Sequence, residues 1–416
     1  MKTNFTPLQL ADPAIAEADG ILRACVHCGF CTATCPTYVL TGDERDSPRG
    51  RIYMIQEMLE KGGKPAPETV HHVDRCLSCL ACMTTCPSGV HYMHLVDQAR
   101  QYIADNHRRP FSDRALRSLL GLLLPRPKLL RRALQAARPF KWLAGLMPKR
   151  LGAMLRLAPR ELAAVQSFTG THSPANPKLR VALLTGCAQS VLDPDINAAT
   201  IRLLNRFGVE VVVPEAQGCC GALSLHLGQA KQARRMAQAN AQAWKHAAVD
   251  HVIVNTSGCG TVVKDYGHLI GDVDIAAKVL DVSELLEKLA LPALPERDMR
   301  IAYHSACSLQ HGQKISKGPE RLLEAAGFKL TPVAEAHMCC GSAGTYNILQ
   351  PEMASQLGAR KRENIMRGKP DVIAAGNIGC LTQIALGLNV PVLHSIELLD
   401  WAYGGLEPAK LKGLGK

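Results

Sequence analysis

The chain runs to 416 residues, 47% of them apolar and 20% charged, with sixteen cysteines and a formal net charge of +12. The length exceeds what one ordinary core can use and the composition is normally globular, so two or three domains are expected. The charge is local: residues 107–161 hold fourteen Arg and Lys against Asp113 and Glu161, leaving 34 bases and 34 acids elsewhere, so the basic balance is weak evidence for nucleic acid and no nucleic-acid partner is expected.

The start, MKTNFTPLQLADPAIAEADG, lacks the basic and apolar blocks of a secretory signal. That points to the reducing cytoplasm, where cysteines serve metals or catalysis more often than disulfides. The longest uncharged stretch, 373–395, contains Asn377, Gln383, Asn389, Pro391 and His394 and is too polar to span a bilayer.

The first element with chemistry is CVHCGFCTATCP at 25–36, repeated fifty-one residues later as CLSCLACMTTCP. Four thiolates suit zinc or an iron-sulfur cluster. Zinc sites usually draw two CxxC pairs from separate knuckles; three cysteines at intervals of three, a fourth beyond and then proline form the run of two-cluster ferredoxins. In that run the fourth cysteine ligates the neighbouring cluster. The spacing therefore assigns Cys25, Cys28, Cys31 and Cys86 to one 4Fe-4S cluster, and Cys76, Cys79, Cys82 and Cys35 to a second. Pro36 and Pro87 redirect the chain just past the ligands. Between the runs, SPRGRIYMIQEMLEKGG offers Ser47 as N-cap, Pro48 at the first helical position and a glycine stop. Arg49 and Arg51 on that helix are candidates to soften the charge of a reduced cluster, although a solvated or structural role is commoner for such residues.

Residues 106–178 read as short helices broken by Pro110, Pro125, Pro127, Pro139 and Pro148, ending in a polar linker around SFTGTHSPANPK. Within them Arg and Lys alternate with Leu, Met, Phe140 and Trp142, which suits a helix lying on an anionic membrane surface. An amphipathic cover over the following domains and a dock for an acidic partner are the other readings.

The remainder is a second repeat. LRVALLTGC, QGCCGA and DHVIVNTSGCGT are echoed by MRIAYHSAC, AHMCCGSAG and PDVIAAGNIGCLT. Cys187, Cys219 and Cys220 recur 120 residues later as Cys307, Cys339 and Cys340, and Cys259 recurs 121 later as Cys380. Apolar runs at 181–184, 209–213, 251–254 and 301–303 alternate with helix-like stretches such as 195–206 and 228–248, so each copy is expected to be an α/β unit with cysteines in loops after strands. Adjacent cysteines make poor disulfides, because their α-carbons sit only about 3.8 Å apart. They serve better as metal ligands or redox thiols, and Gly221 and Gly341 let the backbone approach closely. His226, His304, His311 and His337 stand near these cysteines; hydrogen-bonded or exposed histidines are the commoner case, so none is taken as a site residue.

Paired ferredoxin runs followed by two CCG repeats resemble the iron-sulfur subunits that accompany flavin dehydrogenases, among them those of anaerobic glycerol-3-phosphate dehydrogenase, lactate utilisation and glycolate oxidase. LRACVHCGFCTATCPTYVLTGDERDSPRGRIY, LSCLACMTTCPSGVHY, GCCGA, TSGCG, LQH and CCGSAGTYN are most similar to the glycolate oxidase iron-sulfur subunit family. The CCG repeats also resemble those carried by heterodisulfide reductase, which bind noncubane clusters through a pattern ending in CxxC; here Val262 and Gln383 stand where the last cysteine would be. Each repeat thus supplies four cysteines, leaving clusters in one or both repeats, redox thiols or a structural relic as readings of Cys187, Cys219, Cys220 and Cys259 and of Cys307, Cys339, Cys340 and Cys380.

The expected architecture is multidomain: a mainly α-helical two-cluster ferredoxin-type domain (15–105), a basic helical linker (106–178) and two tandem α/β CCG repeats (179–297 and 298–405). No GxGxxG follows a predicted strand and no GxxxxGK[ST] occurs, so no nucleotide or flavin site is indicated. Clusters accept single electrons and cannot remove hydride. The resemblance therefore implies an electron-transfer subunit without catalytic residues of its own. FAD on a partner subunit would oxidise glycolate to glyoxylate, and electrons would pass to a membrane quinone or other acceptor, with peripheral contact at the inner membrane through 107–161. The equivalent subunit of a lactate or glycerol-3-phosphate dehydrogenase is the near alternative; an iron-sulfur sensor or zinc-stapled scaffold is the distant one, and no helix-turn-helix reader accompanies it.

Overall fold

Proline opens helix after helix in the N-terminal third of the computed structural model, which describes residues 1–159 and 161–412. Arg160, one of the fourteen bases of the 107–161 segment, lies outside the described residues. Helices Pro13–Ala24, Pro36–Thr41, Pro48–Lys61 and Pro67–Asp74 all carry Pro in the first turn, where its missing N–H forfeits no intrahelical bond and its fixed φ suits the helix. Ser47 caps Pro48–Lys61, its hydroxyl accepting from the Gly50 N–H at 3.0 Å, and the helix stops at Gly62 as the sequence predicts. With Tyr92–Asn106, these helices bury Leu22, Ile55, Leu59, Val73, Leu95 and Ile103 in one small core on which Cys25, Cys76 and Cys82 also pack.

Both cysteine runs take the same backbone path. His27 and Gly29 have φ of 54° and 85°, and their counterparts Ser78 and Leu80 have 50° and 62°. A left-handed leucine costs about 1–2 kcal/mol; burial of the Leu80 side chain offsets it.

Helices Phe111–Leu123, Pro127–Ala137 and Lys149–Leu157 and the 3₁₀ segment Arg138–Gly145 follow, broken at the prolines. The first is tied to the N-terminal domain by ion pairs from Arg109 and Arg117 to Asp74 at 2.5 and 3.0 Å. The stretch expected to be a polar linker departs from expectation at Gly170–His172, a strand (β1) that pairs antiparallel with Val209–Val213 (β3). An otherwise open edge of β3 offers it unpaired N–H and C=O groups, a cause that lies outside the segment itself.

Strands β2 (Leu179–Leu184), β4 (His251–Val254) and β5 (Val279–Asp281) complete the first sheet, ordered β1-β3-β2-β4-β5. Strands β6 (Arg300–His304), β7 (Lys329–Thr331), β8 (Val372–Ala375) and β9 (Val392–His394) form the second, ordered β7-β6-β8-β9. Every pairing except that of β1 is parallel. Each repeat thus arranges its strands second, first, third, fourth, and the winding reverses between the first and third, which opens a crevice at their carboxyl ends. Val181–Leu184 and Ile301–His304 are buried without alternation, as strands covered on both faces require.

The repeats pack reciprocally. The opening helix of the first, Asp195–Arg206, lies on the closing helix of the second, Ser395–Ala402; Val282–Lys288 and Gly318–Ala325 repeat the arrangement with roles exchanged. One core is continuous through both sheets, joining Leu183 and Ile253 to Ile301 and Ile373. No helix among the described residues is long and apolar enough to cross a membrane.

Candidate metal centres

The left-handed turns bring the N-terminal thiols into two groups. Cys25, Cys28, Cys31 and Cys86 line one pocket with Cys82, walled by Pro48, Arg49, Pro87 and Tyr92. Cys28 alone of these thiols is exposed. Burial raises the Cys31 thiol to about 11, with Cys25 and Cys35 adding to the shift. Burial pushes the Cys82 thiol well up, and Cys79, Cys76, Cys35 and Cys31 push it further; Cys79 is likewise raised by burial, then by Cys307, Cys35 and Cys76. Cys35 therefore stands among the thiols of the other run, and Cys86 in the pocket of the run opposite its own.

Cations and donors surround this second group. Arg51, 1% exposed, extends Nη1 to 3.9 Å from Cys35 Sγ, and the Tyr92 hydroxyl lies 3.7 Å from Cys76 Sγ. Asp46, fully buried, accepts from Arg51 at 3.4 Å and Arg75 at 2.8 Å and pairs with His72 at 2.8 Å, so the guanidinium is held rigidly beneath the sulfurs. Crowded thiols that burial keeps protonated become thiolates only against a strong cation, which is what a metal or cluster supplies. The donor set fits paired iron-sulfur clusters.

In both repeats the cysteines follow the first, second and third strands and meet in the crevice. Each thiol acts electrostatically on the next in one order: Cys187, Cys219, Cys220, Cys259 in the first repeat, and Cys307, Cys339, Cys340, Cys380 in the second. In the second, Cys307 Sγ lies 3.7 Å from Cys339 Sγ, and Asn377 Nδ2 donates to Cys380 Sγ at 3.3 Å. Cys187 and Cys220 hold the Cys219 thiol below its ordinary value, while Cys219 in turn pushes the buried Cys187 thiol up. The CCG turn needs its glycine: Gly221 and Gly341 have φ of +91° and +85°, and an added Cβ would lie 3.0 and 2.6 Å from the carbonyl oxygens of Ala233 and Ala354.

Cys187, Cys220 and Cys259 of the first repeat and all four thiols of the second line one cavity of about 560 Å³, roofed by Leu120, Leu123, Leu130, Phe140, Leu151 and Met154. The apolar faces of the basic segment thus cover the cysteine crevice. Phe111, Trp142 and Leu146 remain at 75–81% exposure on its outer side.

Sequence reasoning set His304 aside and missed Lys361. His304 is 1% exposed, neither ring nitrogen has a hydrogen-bond partner, and a ring nitrogen and the thiols of Cys340 and Cys380 all lie within 4.8 Å of one another. Lys361, also 1% exposed, donates to the Glu335 carbonyl at 2.7 Å and lies in the field of Cys340, Cys339 and Cys380. Laying one repeat on the other signals both: Leu184 and Asn240 occupy the corresponding positions. His226 pairs with Asp97, and His311 bonds Thr84 and the His337 carbonyl, so these follow the commoner expectation. For Arg51 the solvated reading is wrong, since the residue is buried against the sulfurs.

Comparison with known proteins agrees with this arrangement. The 4Fe-4S dicluster domain matches residues 24–90, and the cysteine-rich domain matches 181–264 and 301–385. The chain is 41% identical to the glycolate oxidase iron-sulfur subunit of Escherichia coli K12, covering 97% of this chain and 99% of that one. It is 30% identical to the probable glycolate oxidase iron-sulfur subunit of Bacillus subtilis 168, over 93% and 95% of the two chains. A crystal structure of a hypothetical protein from Helicobacter pylori shares the fold with a TM-score of 0.53 at 11% identity, over 96% of this chain and 74% of that one.

Proposed function

The chain belongs to the family of glycolate oxidase iron-sulfur subunits, and from that premise we propose that it carries electrons from a flavin-bearing partner subunit, which oxidises glycolate to glyoxylate, to a membrane quinone. Iron-sulfur clusters, when bound, supply single-electron storage and transfer. Cys25, Cys28, Cys31 and Cys86 hold one 4Fe-4S cluster and Cys76, Cys79, Cys82 and Cys35 the other. The four cysteines of each CCG repeat hold further iron-sulfur centres.

One observation carries this reading: the thiol groups follow one another through the molecule. Exposed Cys28, beside exposed Val26 and Phe30, marks the side where a partner would dock. Buried Cys79 packs in one apolar cluster with Cys339 and Cys307. Beyond these lies the apolar cavity, suited to a lipophilic acceptor, beneath a basic segment whose exposed Trp142 and Leu146 suit peripheral contact with the cytoplasmic face of a membrane. The chain's own residues keep water from the buried sulfurs and fix the thiolates.

The test is anaerobic reconstitution with the flavin partner. Glycolate should reduce the chain's paramagnetic centres only when the partner is present, and lactate or glycerol-3-phosphate should do so more slowly. Oxidation of glycolate by the purified chain alone would overturn the division of labour.

A further inference from the structure

We propose that His304 is a nitrogen ligand of the metal centre in the second repeat, so that the two repeats hold chemically different centres. This rests on the reading that the repeat cysteines bind metal.

The imidazole is not needed by the fold. Its position at the end of β6 corresponds to Leu184 at the end of β2, and both side chains are 1% exposed. Buried polar atoms left without partners keep their full desolvation penalty, and both ring nitrogens are in that state, so an unbound histidine in place of leucine would be a pure loss. The ring is aimed at a place where a partner is missing: a nitrogen and the sulfurs of Cys340 and Cys380 fall within 4.8 Å of one another, the spread of ligands around one centre.

The donor count points the same way. Val262 and Gln383 hold the positions where a fifth cysteine would stand, and neither is a thiolate. Gln383 is committed elsewhere, donating to the Ala354 carbonyl at 3.0 Å and accepting from Asn347 at 3.3 Å. The first repeat is therefore left with four sulfur donors, whereas His304 gives the second a fifth donor of another kind. A neutral imidazole adds a donor to the second centre without the negative charge that a fifth thiolate would bring.

The test uses the full chain, purified anaerobically with ¹⁵N-histidine and poised from oxidised to dithionite-reduced, with pulsed electron paramagnetic resonance as the readout. A directly bonded nitrogen coupling that changes with the isotope is expected. It should vanish in His304→Leu, which copies the first repeat, and in His304→Cys, which keeps a donor there. Mössbauer spectra of ⁵⁷Fe-loaded chain cover redox states without a paramagnetic signal, where the nitrogen-ligated iron should separate from the all-sulfur sites. Circular dichroism and the retained N-terminal cluster signals show that each variant folds. Iron in the repeats with no histidine coupling, or a coupling unchanged in His304→Leu, overturns the ligand assignment and leaves the cluster reading standing. An iron count of only about eight, with no metal in the repeats, overturns both.

Discussion

The two α/β repeats share strand order, thiol order and the CCG turn, yet their sulfurs lie in different surroundings. In the first, Cys187, Cys219 and Cys220 pack among that repeat's own residues, including Trp244 and Tyr266. Asn240 locks the turn by accepting from the Gly218 N–H at 2.7 Å and donating to the Cys219 carbonyl at 3.0 Å. In the second, Cys339 packs against Cys79 of the N-terminal domain, a lysine replaces that asparagine, and a histidine replaces Leu184. The duplication conserved the backbone that gathers four thiols, while the side chains behind them diverged in charge. Geometry sets whether a centre binds; these neighbours set how readily it accepts an electron.

The comparison is broken most severely at the turn glycines. Both Gly221→Ala and Gly341→Ala force alanine into left-handed backbone at about 1–2 kcal/mol, but the new Cβ at 341 would stand 2.6 Å from a carbonyl oxygen against 3.0 Å at 221. With overpacking added, Gly341→Ala should cost about 2–5 kcal/mol and Gly221→Ala about 1–3. Urea unfolding of the paired variants checks the order, and equal losses would mean that the helix carrying Ala354 yields to the new methyl.

A subtler change sharpens the contrast in charge. Lys361→Met keeps the length of a buried side chain and removes its cation from beside Cys340 and Cys339. A unit charge acting over several ångströms at an effective dielectric of about 20 is worth about 2 kcal/mol, or roughly 90 mV for one electron. The midpoint of the second-repeat centre should fall by up to that amount while the first-repeat centre stays where it is. Redox titration followed by paramagnetic resonance measures both in one sample.

Much of this was legible in the sequence because the signals are local. Cysteine spacing marks the two N-terminal runs, and Ser47, Pro48 and Gly62 bound their scaffold helix. The 120-residue echo marks the repeats, with β3 and β4 falling on the apolar runs 209–213 and 251–254. What was not legible depends on packing. Strand β1 exists because the edge of β3 is free, and Arg51 reads as a surface charge until Asp46 and Cys35 are found around it. His304 departs from Leu184 of the other repeat, but only its unpartnered ring beside the Cys340 and Cys380 thiols distinguishes it from an ordinary core histidine.

The mildest test concerns how each repeat is fastened to the N-terminal domain. The first is held by charge: His268 stacks on His94 with ring centres 3.5 Å apart and pairs with Glu17 at 2.9 Å, while His94 reaches both Glu17 and Asp265. The second is joined by a neutral bond of 2.8 Å between Thr84 and His311, whose ring burial holds below the ordinary histidine value. The Asp265 carboxylate 3.7 Å away, and Glu17 against the opposing effect of burial, raise His268 from 6.5 to about 9. A raised histidine stabilises the folded state fully below its unfolded value and loses that contribution as pH climbs through the folded one. The first fastening should therefore be intact at pH 6.5 and spent above about pH 9, with the second unchanged over the same range. Partial exposure of His268 screens the pair, so only a modest loosening is expected. Amide exchange in Pro13–Ala24 and Tyr266–Ile270, corrected for intrinsic rates, should rise several-fold between pH 7 and 9.5, with no such rise at Ala81–Thr85. Glu17→Gln with Asp265→Asn should flatten that dependence, and a rise persisting in the double variant would assign it to another group.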